Sequence, residues 1–457
     1  MDEMLERVNN LTQEEIEEYS KYLMPNLNKR DGWHIKSGKG VWLTDINDKE
    51  YLDFTSQFFT NYVGYGNEEI AGVIAEQAKN ITYVGQFTNT NLRFAFAQKV
   101  ASIAPKNLNR IAIAVGGGPA VELAVKIALK NRKGARNVIC LWDAYHGNSL
   151  ETLGATFVTT LHGGSSIPPA EGFKNIQNPA WNFMSHISNN YVRVPNAYCY
   201  RCPFGQNPES CNLMCAEMLR LTIEKGVVGP TAAVIIEPIQ SGGGQIPLPK
   251  KYLQRVREIC DEFGVILIFD EVQTYGKTGK FFAADYYGVE PDIIVTGKGI
   301  GGGMPVALII AHDKLEVFEG GAEDISTYTN NQVSLAAAMK SIEIIQRDHL
   351  LENCTNIGGY IVEKLDEMRG EFPEIGDIRG VGLLIGVELV KDPKTKEPLA
   401  YGTTSKILEA CQRRGLLFQI ARENVIKIKP GMIITREEAD TGLNILREAF
   451  REVLRNT

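Results

Sequence analysis

Residues 265–274 read VILIFDEVQT and residues 293–303 read IIVTGKGIGGG, and these two stretches decide the fold. In each, a short apolar run rich in β-branched residues ends in charged or glycine residues, which predicts a buried strand followed by a loop. Similar runs stand at 111–115, 138–142, 232–236 and 306–310, and helical periods separate most of them. Strands that alternate with helices predict an α/β fold in which helices cover both faces of a mostly parallel sheet.

The residues that directly follow these strands differ from the strands in being polar, charged or glycine. They are residues 116–118, 145–147, 237–238, 270–271 and 297–299. Ligands of open α/β sheets bind outside the carboxyl ends of the strands. We therefore expect the functional site at this edge of the sheet.

Asp270 and Lys298 carry the clearest chemical indication within that set. Asp270 ends a buried strand, where a carboxylate needs a cation. A protonated pyridine nitrogen would serve, and a neighbouring arginine or a helix cap are the alternatives. Lys298 stands among glycines after the next strand, where loss of solvent lowers the pKa of a lysine and makes its neutral amine a nucleophile toward an aldehyde. Electrostatic binding of a phosphate is the alternative for Lys298.

The stretch 116–130, GGGPAVELAVKIALK, predicts a helix whose first turn can bind an anion. Gly117 and Gly118 allow the backbone N–H groups to approach a phosphate, and we expect Pro119 at the first helical position. A tight turn that binds no ligand is the alternative for the glycine run. Tyr145 is placed after its strand so that its ring can cover a flat cofactor, and ordinary packing is the alternative for this residue.

Composition and charge limit the class of protein. The chain has 457 residues, more than a single core usually supports, so we expect a large domain at 63–330 and a smaller one built from 1–62 and 331–457. A net charge of −7 without a basic stripe argues against nucleic acid as the main partner. No apolar run is long enough to span a bilayer, and the acidic first residues do not read as a signal peptide, so we expect a cytoplasmic location.

Six blocks in chain order resemble the successive motifs of class-III (omega) aminotransferases, which depend on pyridoxal 5′-phosphate. They are GGGPAVELAVKIA, YHG, IIEPIQSGGG, LIFDEVQTYGKTGK, TGKGIGGGMP and STYTNN, and the similarity runs from about residue 35 to the C-terminus. The resemblance implies fold type I of these enzymes, with a mostly parallel central sheet, a smaller α+β domain from both chain ends, and a homodimer with shared active sites. It also implies transfer of an amino group from an amine or amino acid to a keto acid.

The resemblance further implies a role for individual residues. Lys298 would hold the cofactor as a Schiff base and move the proton, and Asp270 would pair with the pyridine nitrogen. The other residues expected to bind the cofactor are Gly117 and Gly118 at the phosphate, Tyr145 on the ring, Gln273 at the ring hydroxyl, His146, Glu237 toward the substrate, and Thr327, which would reach the phosphate of the neighbouring subunit.

Two positions depart from the family pattern in the expected substrate pocket. Lys427, in NVIKIKPGM, replaces an arginine that can grip a substrate carboxylate, and lysine lacks the planar fork for that contact. A lysine here also resembles the phospholyases of the family, and a phospholyase or an amino-acid racemase is the alternative to a transaminase. Lys427 as an ordinary surface or dimer residue is a further alternative. Phe58, beside Phe59, falls where the family lines its pocket, although a core position explains it equally well.

Four cysteines, Cys199, Cys202, Cys211 and Cys215, fall within seventeen residues. Their spacing resembles that of zinc or iron–sulfur ligands, but the intervals are irregular. Free thiols or disulfides are the preferred interpretation, and we assign no metal.

Overall fold

The computed structural model describes residues 3–24, 34–156, 190–320 and 323–455. The helices are α1 Glu3–Asn9, α2 Gln13–Ser20, α3 Ser56–Phe59, α4 Glu68–Asn80, α5 Asn91–Ile103, α6 Gly117–Asn131, α7 Leu150–Ala155, α8 Met214–Leu221, α9 Lys250–Phe263, α10 Ala283–Tyr287, α11 Gln332–Arg347, α12 Leu350–Met368, α13 Tyr401–Arg413 and α14 Arg436–Leu454. The strands are β1 Ile35–Lys39, β2 Trp42–Asp45, β3 Glu50–Asp53, β4 Leu108–Ala114, β5 Asn137–Leu141, β6 Tyr191–Val194, β7 Thr231–Ile236, β8 Ile239–Gln240, β9 Ile246–Pro247, β10 Ile266–Asp270, β11 Ile293–Thr296, β12 Ala307–His312, β13 Ile375–Val381, β14 Leu384–Asp392, β15 Glu397–Pro398, β16 Leu416–Leu417, β17 Gln419–Ala421 and β18 Val425–Ile428.

Seven strands form the central sheet in the order β4-β12-β11-β10-β7-β5-β6. The pairs from β11 through β10, β7 and β5 to β6 are parallel, whereas β12 runs antiparallel to both β11 and β4. The predicted mostly parallel sheet is confirmed, and its strands begin or end within a few residues of the expected runs.

Alternate residues of these strands enter cores on the two faces of the sheet. Ile235 and Ile268 pack with the apolar side of α6, while Ile236 and Phe269 pack on the opposite face with residues of α9. A strand buried on both faces must be apolar at every position, which explains the continuous runs seen in the sequence.

The two chain ends meet in a second sheet. The order β1-β2-β3-β16 joins the N-terminal hairpin to a C-terminal strand, with Leu416 opposite Leu52 and Leu417 opposite Asp53. A further sheet, β13-β14-β18-β17, carries the stretch with Lys427 on β18. This arrangement agrees with a smaller α+β layer built from both ends, and the domain boundaries at 62 and 330 stay predictions.

The start of α6 differs in one detail from the expectation. The helix begins at Gly117, so Pro119 is its third residue and not its first. Proline is tolerated at this third position because the first four N–H groups of any helix lack an intrahelical partner, so the missing N–H of proline removes no hydrogen bond. Gly116, at the N-cap, supplies no side-chain hydrogen bond, so the end of the helix stays open.

No helix in the described ranges combines the length and apolarity needed to cross a bilayer.

Candidate active site

Asp270 ends β10 and is almost fully enclosed, with 4% of its surface exposed. Its Oδ2 lies 2.8 Å from Nδ1 of His146, and its Oδ1 accepts a hydrogen bond of 3.1 Å from the N–H of Val272. No arginine forms an ion pair with Asp270 in the described part of the chain. The structure therefore does not support the alternative of a salt bridge between Asp270 and a neighbouring arginine.

His146 is buried beside Asp270 and keeps one ring nitrogen unused. Its main-chain N–H donates to Oγ1 of Thr156 over 3.0 Å, which holds the segment after β5 in place. Its Nε2 has no hydrogen-bond partner among the residues described. A buried ring nitrogen without a partner is costly unless a ligand or water completes it.

Lys298 lies two residues after the end of β11 and adopts a left-handed backbone conformation with φ of 51°. Its Nζ lies 5.5 Å from the centre of the Phe59 ring and forms no hydrogen bond among the described residues. Burial lowers the pKa of Lys298 to about 8, although Asp270 and Glu237 act in the opposite direction. A large fraction of this amine is therefore neutral near pH 8, as a nucleophile toward an aldehyde requires.

Glu237 follows β7 and faces the same space. Its Oε1 accepts a hydrogen bond of 2.8 Å from the N–H of Tyr145, and Nε2 of Gln273 donates to its Oε2 over 3.5 Å. Burial raises the pKa of Glu237 to about 7, although the interaction with His146 acts to lower it. The carboxyl thus changes charge near neutral pH, close to Lys298 and Asp270.

The remaining predicted cofactor contacts lie around this cluster. Tyr145 is half-buried, and burial raises the pKa of its hydroxyl so that it stays protonated. A Cβ on Gly117 would stand only 3.1 Å from Cγ1 of Val272, which shows how closely the start of α6 approaches the end of β10. The open N–H groups of Gly117 and Gly118 therefore lie at the same edge as Asp270.

Thr327 stands apart from this cluster within one chain. It begins a short 3-10 helix, Thr327–Asn330, and is exposed. Within the described ranges it forms no hydrogen bond with Lys298, Asp270 or the start of α6. The structure of a single chain therefore does not bring Thr327 to the other predicted site residues.

Lys427 and Phe58, the two residues predicted at the substrate, have different surroundings. Lys427 is half-buried on β18, and burial together with the charge of Lys298 lowers its pKa to about 8. The alternative of an ordinary surface lysine therefore does not fit. Phe58 is 55% exposed, so the core interpretation of this ring does not fit either.

Phe58 belongs to a turn with an uncommon backbone. All four residues of α3 lie in the left-handed region, with φ of 43°, 41°, 59° and 69° along the turn. Residues other than glycine rarely adopt it, and such conformations persist only where surrounding contacts hold them. The Ser56 hydroxyl donates to the carbonyl of Lys429, and Phe59 is buried, which anchors the turn beside Lys298.

Sequence patterns did not single out two buried lysines next to this turn. Lys429 is fully enclosed, with its Nζ 3.6 Å from the centre of the Phe59 ring. Lys277 is also enclosed, and its Nζ donates to Oγ of Ser56 over 3.3 Å and to the carbonyl of Pro430. For Lys429 the available signal was its spacing of two residues from Lys427, because side chains two apart in extended backbone share a face.

The four clustered cysteines line one apolar pocket between the segment after β6 and helices α8 and α9. All four thiols are free, and burial raises the pKa of Cys199, and that of Cys215 to about 11. Within the part of the chain that the structure describes, no group of three or more His, Cys, Asp or Glu side chains is placed to hold a metal ion.

Comparisons with known proteins bear on this geometry. The sequence profile of class-III aminotransferases matches residues 26–450. The chain is 35% identical to leucine/methionine racemase of Thermococcus litoralis, over 90% of this chain and 89% of that protein. It is 33% identical to acetylornithine aminotransferase of Methanosarcina acetivorans, over 95% of both.

Two further similarities extend the range of activities and the structural match. The chain is 31% identical to (R)-1-hydroxy-2-aminoethylphosphonate ammonia-lyase of Vibrio splendidus, over 92% of this chain and 86% of that protein. Its structure resembles that of an S-selective transaminase from Arthrobacter with a TM-score of 0.86 and 25% identity, over 98% of this chain and 99% of the other.

Proposed function

Because the chain belongs to the class-III aminotransferase family, a family of enzymes that in general depend on pyridoxal 5′-phosphate, we propose that it binds this cofactor between α6, β10 and β11. We further propose that it uses the cofactor to move an amino group from an amine or amino acid to a keto acid. The observation that carries the proposal is the meeting of Lys298, Asp270 and Glu237 in one enclosed space at the carboxyl ends of three strands.

The unsatisfied groups at this edge fit the parts of that cofactor. Among the residues that the structure describes, Asp270 is a buried carboxylate without an arginine partner, suited to a cationic ring nitrogen, and Lys298 is an amine without a hydrogen bond, suited to an aldehyde. The open first turn of α6 offers N–H groups and a helix dipole to a phosphate. When bound, the cofactor supplies an electron sink for the electrons of the bond that breaks at the substrate carbon.

The side chains of this chain would then divide the remaining work. Asp270, oriented by His146, keeps a ring nitrogen protonated. Lys298, whose pKa burial lowers to about 8, can release and recover a proton near that pH. Glu237 and Gln273 form a hydrogen-bonded pair on the side toward the substrate.

A homodimer is part of the proposal. We name as the aromatic surface the exposed apolar side chains Tyr83, Phe87, Phe94, Ile325 and Tyr328. Tyr83 and Tyr328 lie 5.7 Å apart between ring centres. The main chain of Gln86 accepts from Arg93, and its side chain accepts from the N–H of Ser326, which connects the segments that carry the other members. An exposed apolar surface of this kind commonly marks an interface between proteins.

Thr327 lies next to Tyr328 of the aromatic surface, and this position supports its proposed contact with the neighbouring subunit. A second copy that covers the aromatic surface would bring Thr327 against the partner, where it could reach the phosphate. Small-molecule amines and keto acids are the expected partners in solution. The cytoplasmic location stays a prediction from the sequence.

An absorbance spectrum of the purified protein tests the proposal. We expect a visible band from cofactor attached to a lysine, and we expect Lys298→Ala to remove it. Lys225→Ala, a change at an exposed lysine with 72% of its side chain accessible, should keep the band. A band that survives in Lys298→Ala would contradict the assignment of this lysine.

The same spectrum separates a transaminase from the alternatives. Amines and amino acids added without a keto acid should convert the band stoichiometrically to that of the amine form of the cofactor. A band that persists while ammonia or phosphate accumulates indicates a lyase. A band that persists while only the chirality of the amino acid changes indicates a racemase.

A further inference from the structure

The pocket lined by four cysteines has no part in the proposed function, and we name it the thiol pocket. Cys199 belongs to a short 3-10 helix, Cys199–Arg201, and Cys202 directly follows this helix. Cys211 lies in the loop that comes next, and Cys215 is the second residue of α8. All four thiols are free in the structure, so the pocket brings together reactive groups that no bond yet uses.

The electrostatics of the thiol pocket favour an uncharged product over a metal ion. Burial raises the pKa of Cys199, and Cys211 and Cys202 act in the same direction, whereas Lys251 opposes them. Thiolates, which metal binding requires, are therefore disfavoured here. The ammonium group of Lys251 also lines the pocket and donates to the carbonyl of Pro208 over 2.6 Å, so it would repel a second cation. A disulfide carries no charge and suits such a pocket.

The loop after the 3-10 helix allows Cys211 to approach Cys199. Residues 202–213 form no helix or strand, so this segment can move without breaking regular hydrogen bonds. The thiol of Cys211 donates to the carbonyl of Pro208 over 3.7 Å at the protein surface, where small solutes reach it. The thiol of Cys199 donates to the carbonyl of Ala197 over 3.8 Å at a more enclosed position. Cys211 is thus the accessible member of this pair.

We propose that Cys199 and Cys211 form a reversible disulfide that makes the enzyme sensitive to peroxides. Hydrogen peroxide transfers one oxygen atom to the Cys211 thiol, which becomes a sulfenic acid while one water leaves. The Cys199 sulfur then attacks the Cys211 sulfur, so that the S–S bond forms and the S–O bond breaks. The departing hydroxide takes the proton of the Cys199 thiol and leaves as a second water. A dithiol reductant restores both thiols by exchange and is itself oxidised to a disulfide.

The 3-10 helix connects the thiol pocket to the substrate side of the site. The hydroxyl of Tyr198 donates to the buried carboxylate of Glu388, and Nε of Arg201 donates to the same carboxylate over 2.5 Å. Glu388 lies on β14, which pairs directly with β18, the strand that carries Lys427. A disulfide that draws Cys199 toward the loop pulls both donors away from Glu388. Oxidation therefore shifts the strands that support the substrate pocket, an effect that rests on the proposed function.

Disulfide mapping of the cofactor-loaded enzyme tests the covalent step. The enzyme is treated with hydrogen peroxide, its remaining thiols are alkylated, and its peptides are analysed by mass spectrometry. Cleavage after Arg201, Glu209 and Leu213 places the four cysteines in separate peptides. We expect one linked pair, joined through Cys199 and Cys211, which a dithiol separates again. A full set of free thiols after peroxide, or a bond between other cysteines, would overturn the inference.

Serine variants assign the bond to this pair. Cys199→Ser and Cys211→Ser should each keep all remaining thiols free after peroxide, because each lacks one member of the pair. Cys202→Ser is the matched control, since it removes a thiol of the same pocket and should still form the bond. Serine changes only one side-chain atom, and a retained cofactor band shows that a variant is folded. Loss of the bond in Cys202→Ser would contradict the assignment.

Steady-state kinetics of the oxidised enzyme test the effect on the site. With the amine or amino acid to which the cofactor band responds, oxidation should raise KM by at least about threefold, because the strand of Lys427 is displaced. The band itself should persist, since Lys298 does not line the thiol pocket. A dithiol should restore KM, and peroxide should leave the KM of Cys211→Ser unchanged.

The possible failures of the two proposals are distinguishable. A mapped disulfide without any change in KM contradicts the effect on the substrate strands. A protein without a cofactor band contradicts the proposed function, and the disulfide mapping still decides whether Cys199 and Cys211 form the bond.

Discussion

At the scale of single residues, burial changes the proton affinity of groups that sequence alone would treat as ordinary. The pKa values of Glu237 and Lys298 are shifted toward each other, to about 7 for the carboxyl and to about 8 for the amine. The main cause is the same for both, because loss of solvent disfavours whichever form is charged. Two groups that titrate near neutral pH and share a space can exchange a proton at low cost.

The pKa of Lys298 predicts how the apoenzyme takes up pyridoxal 5′-phosphate. Only the neutral amine attacks an aldehyde, so the rate of attachment should rise by about tenfold between pH 7 and pH 9 and then level off. Stopped-flow absorbance measures this rate, and attachment to N-acetyl-lysine methyl amide corrects for titration of the cofactor. A rate that keeps rising through pH 10 would mean that Lys298 titrates like an exposed lysine.

Lys429 gives a prediction about stability. Its pKa is lowered in the folded protein, so below the unfolded value of 10.5 folding must release a proton, and this cost grows as the pH falls. Lys429→Met should therefore raise the free energy of unfolding at pH 7 by about 1–4 kcal/mol. The gain should shrink as the pH rises toward 10.5. Denaturant unfolding of both proteins across this range gives the comparison, and a gain independent of pH would point to packing instead.

At the scale of elements, the left-handed turn α3 stores backbone strain next to the site. Gln57 is the most suitable residue for relieving it, because its side chain forms no hydrogen bond in the described structure and its φ is 41°. Glycine adopts this conformation without the steric cost that other residues pay.

Gln57→Gly should therefore stabilise the protein by roughly 0.5–1 kcal/mol. Gln57→Ala, which keeps a Cβ, serves as the control and should not stabilise. Thermal unfolding of the two variants beside the parent gives the answer. Equal melting temperatures for the glycine and alanine variants would show that the turn is not strained at this residue.

Helix α6 illustrates how an element prepares a binding edge. Its buried alanines and valines fit it closely against the sheet, and its uncapped start is brought against Val272 at the end of β10. Packing thus places the open N–H groups at the end of β10 that carries Asp270, although the two lie more than 150 residues apart in the chain.

At the scale of the whole molecule, the aromatic surface predicts the oligomeric state. Phe87 is 73% exposed in the single chain, so Phe87→Glu should leave the fold intact while it places a charge in the proposed interface. We expect the variant to be a monomer with weaker affinity for pyridoxal 5′-phosphate, because Thr327 would no longer reach the partner. Light scattering after size exclusion measures the mass.

Val228→Glu provides the matched control for this change. Val228 is 83% exposed and is not part of the aromatic surface, so its charge should leave the dimer intact. A dimer that persists in Phe87→Glu with unchanged cofactor affinity would place the interface elsewhere.

The sequence by itself determined the strands of the central sheet, the polar residues that follow these strands, and the family to which the chain belongs. Each of these is written locally, because a strand buried on both faces must be apolar throughout and the residue after it lies at the ligand edge. Lys298 and Asp270 could be proposed for the same reason, since each directly follows such a run.

Only the tertiary structure decided the surroundings of those residues. It showed that His146 faces Asp270, that the buried Lys429 has its Nζ 3.6 Å from the centre of the Phe59 ring, and that β12 runs antiparallel to its neighbours β11 and β4. These features depend on contacts between segments far apart in the chain, and local patterns carry no information about such contacts. The charge that a buried group can hold depends on those contacts, because the loss of water and the nearest charges set its pKa.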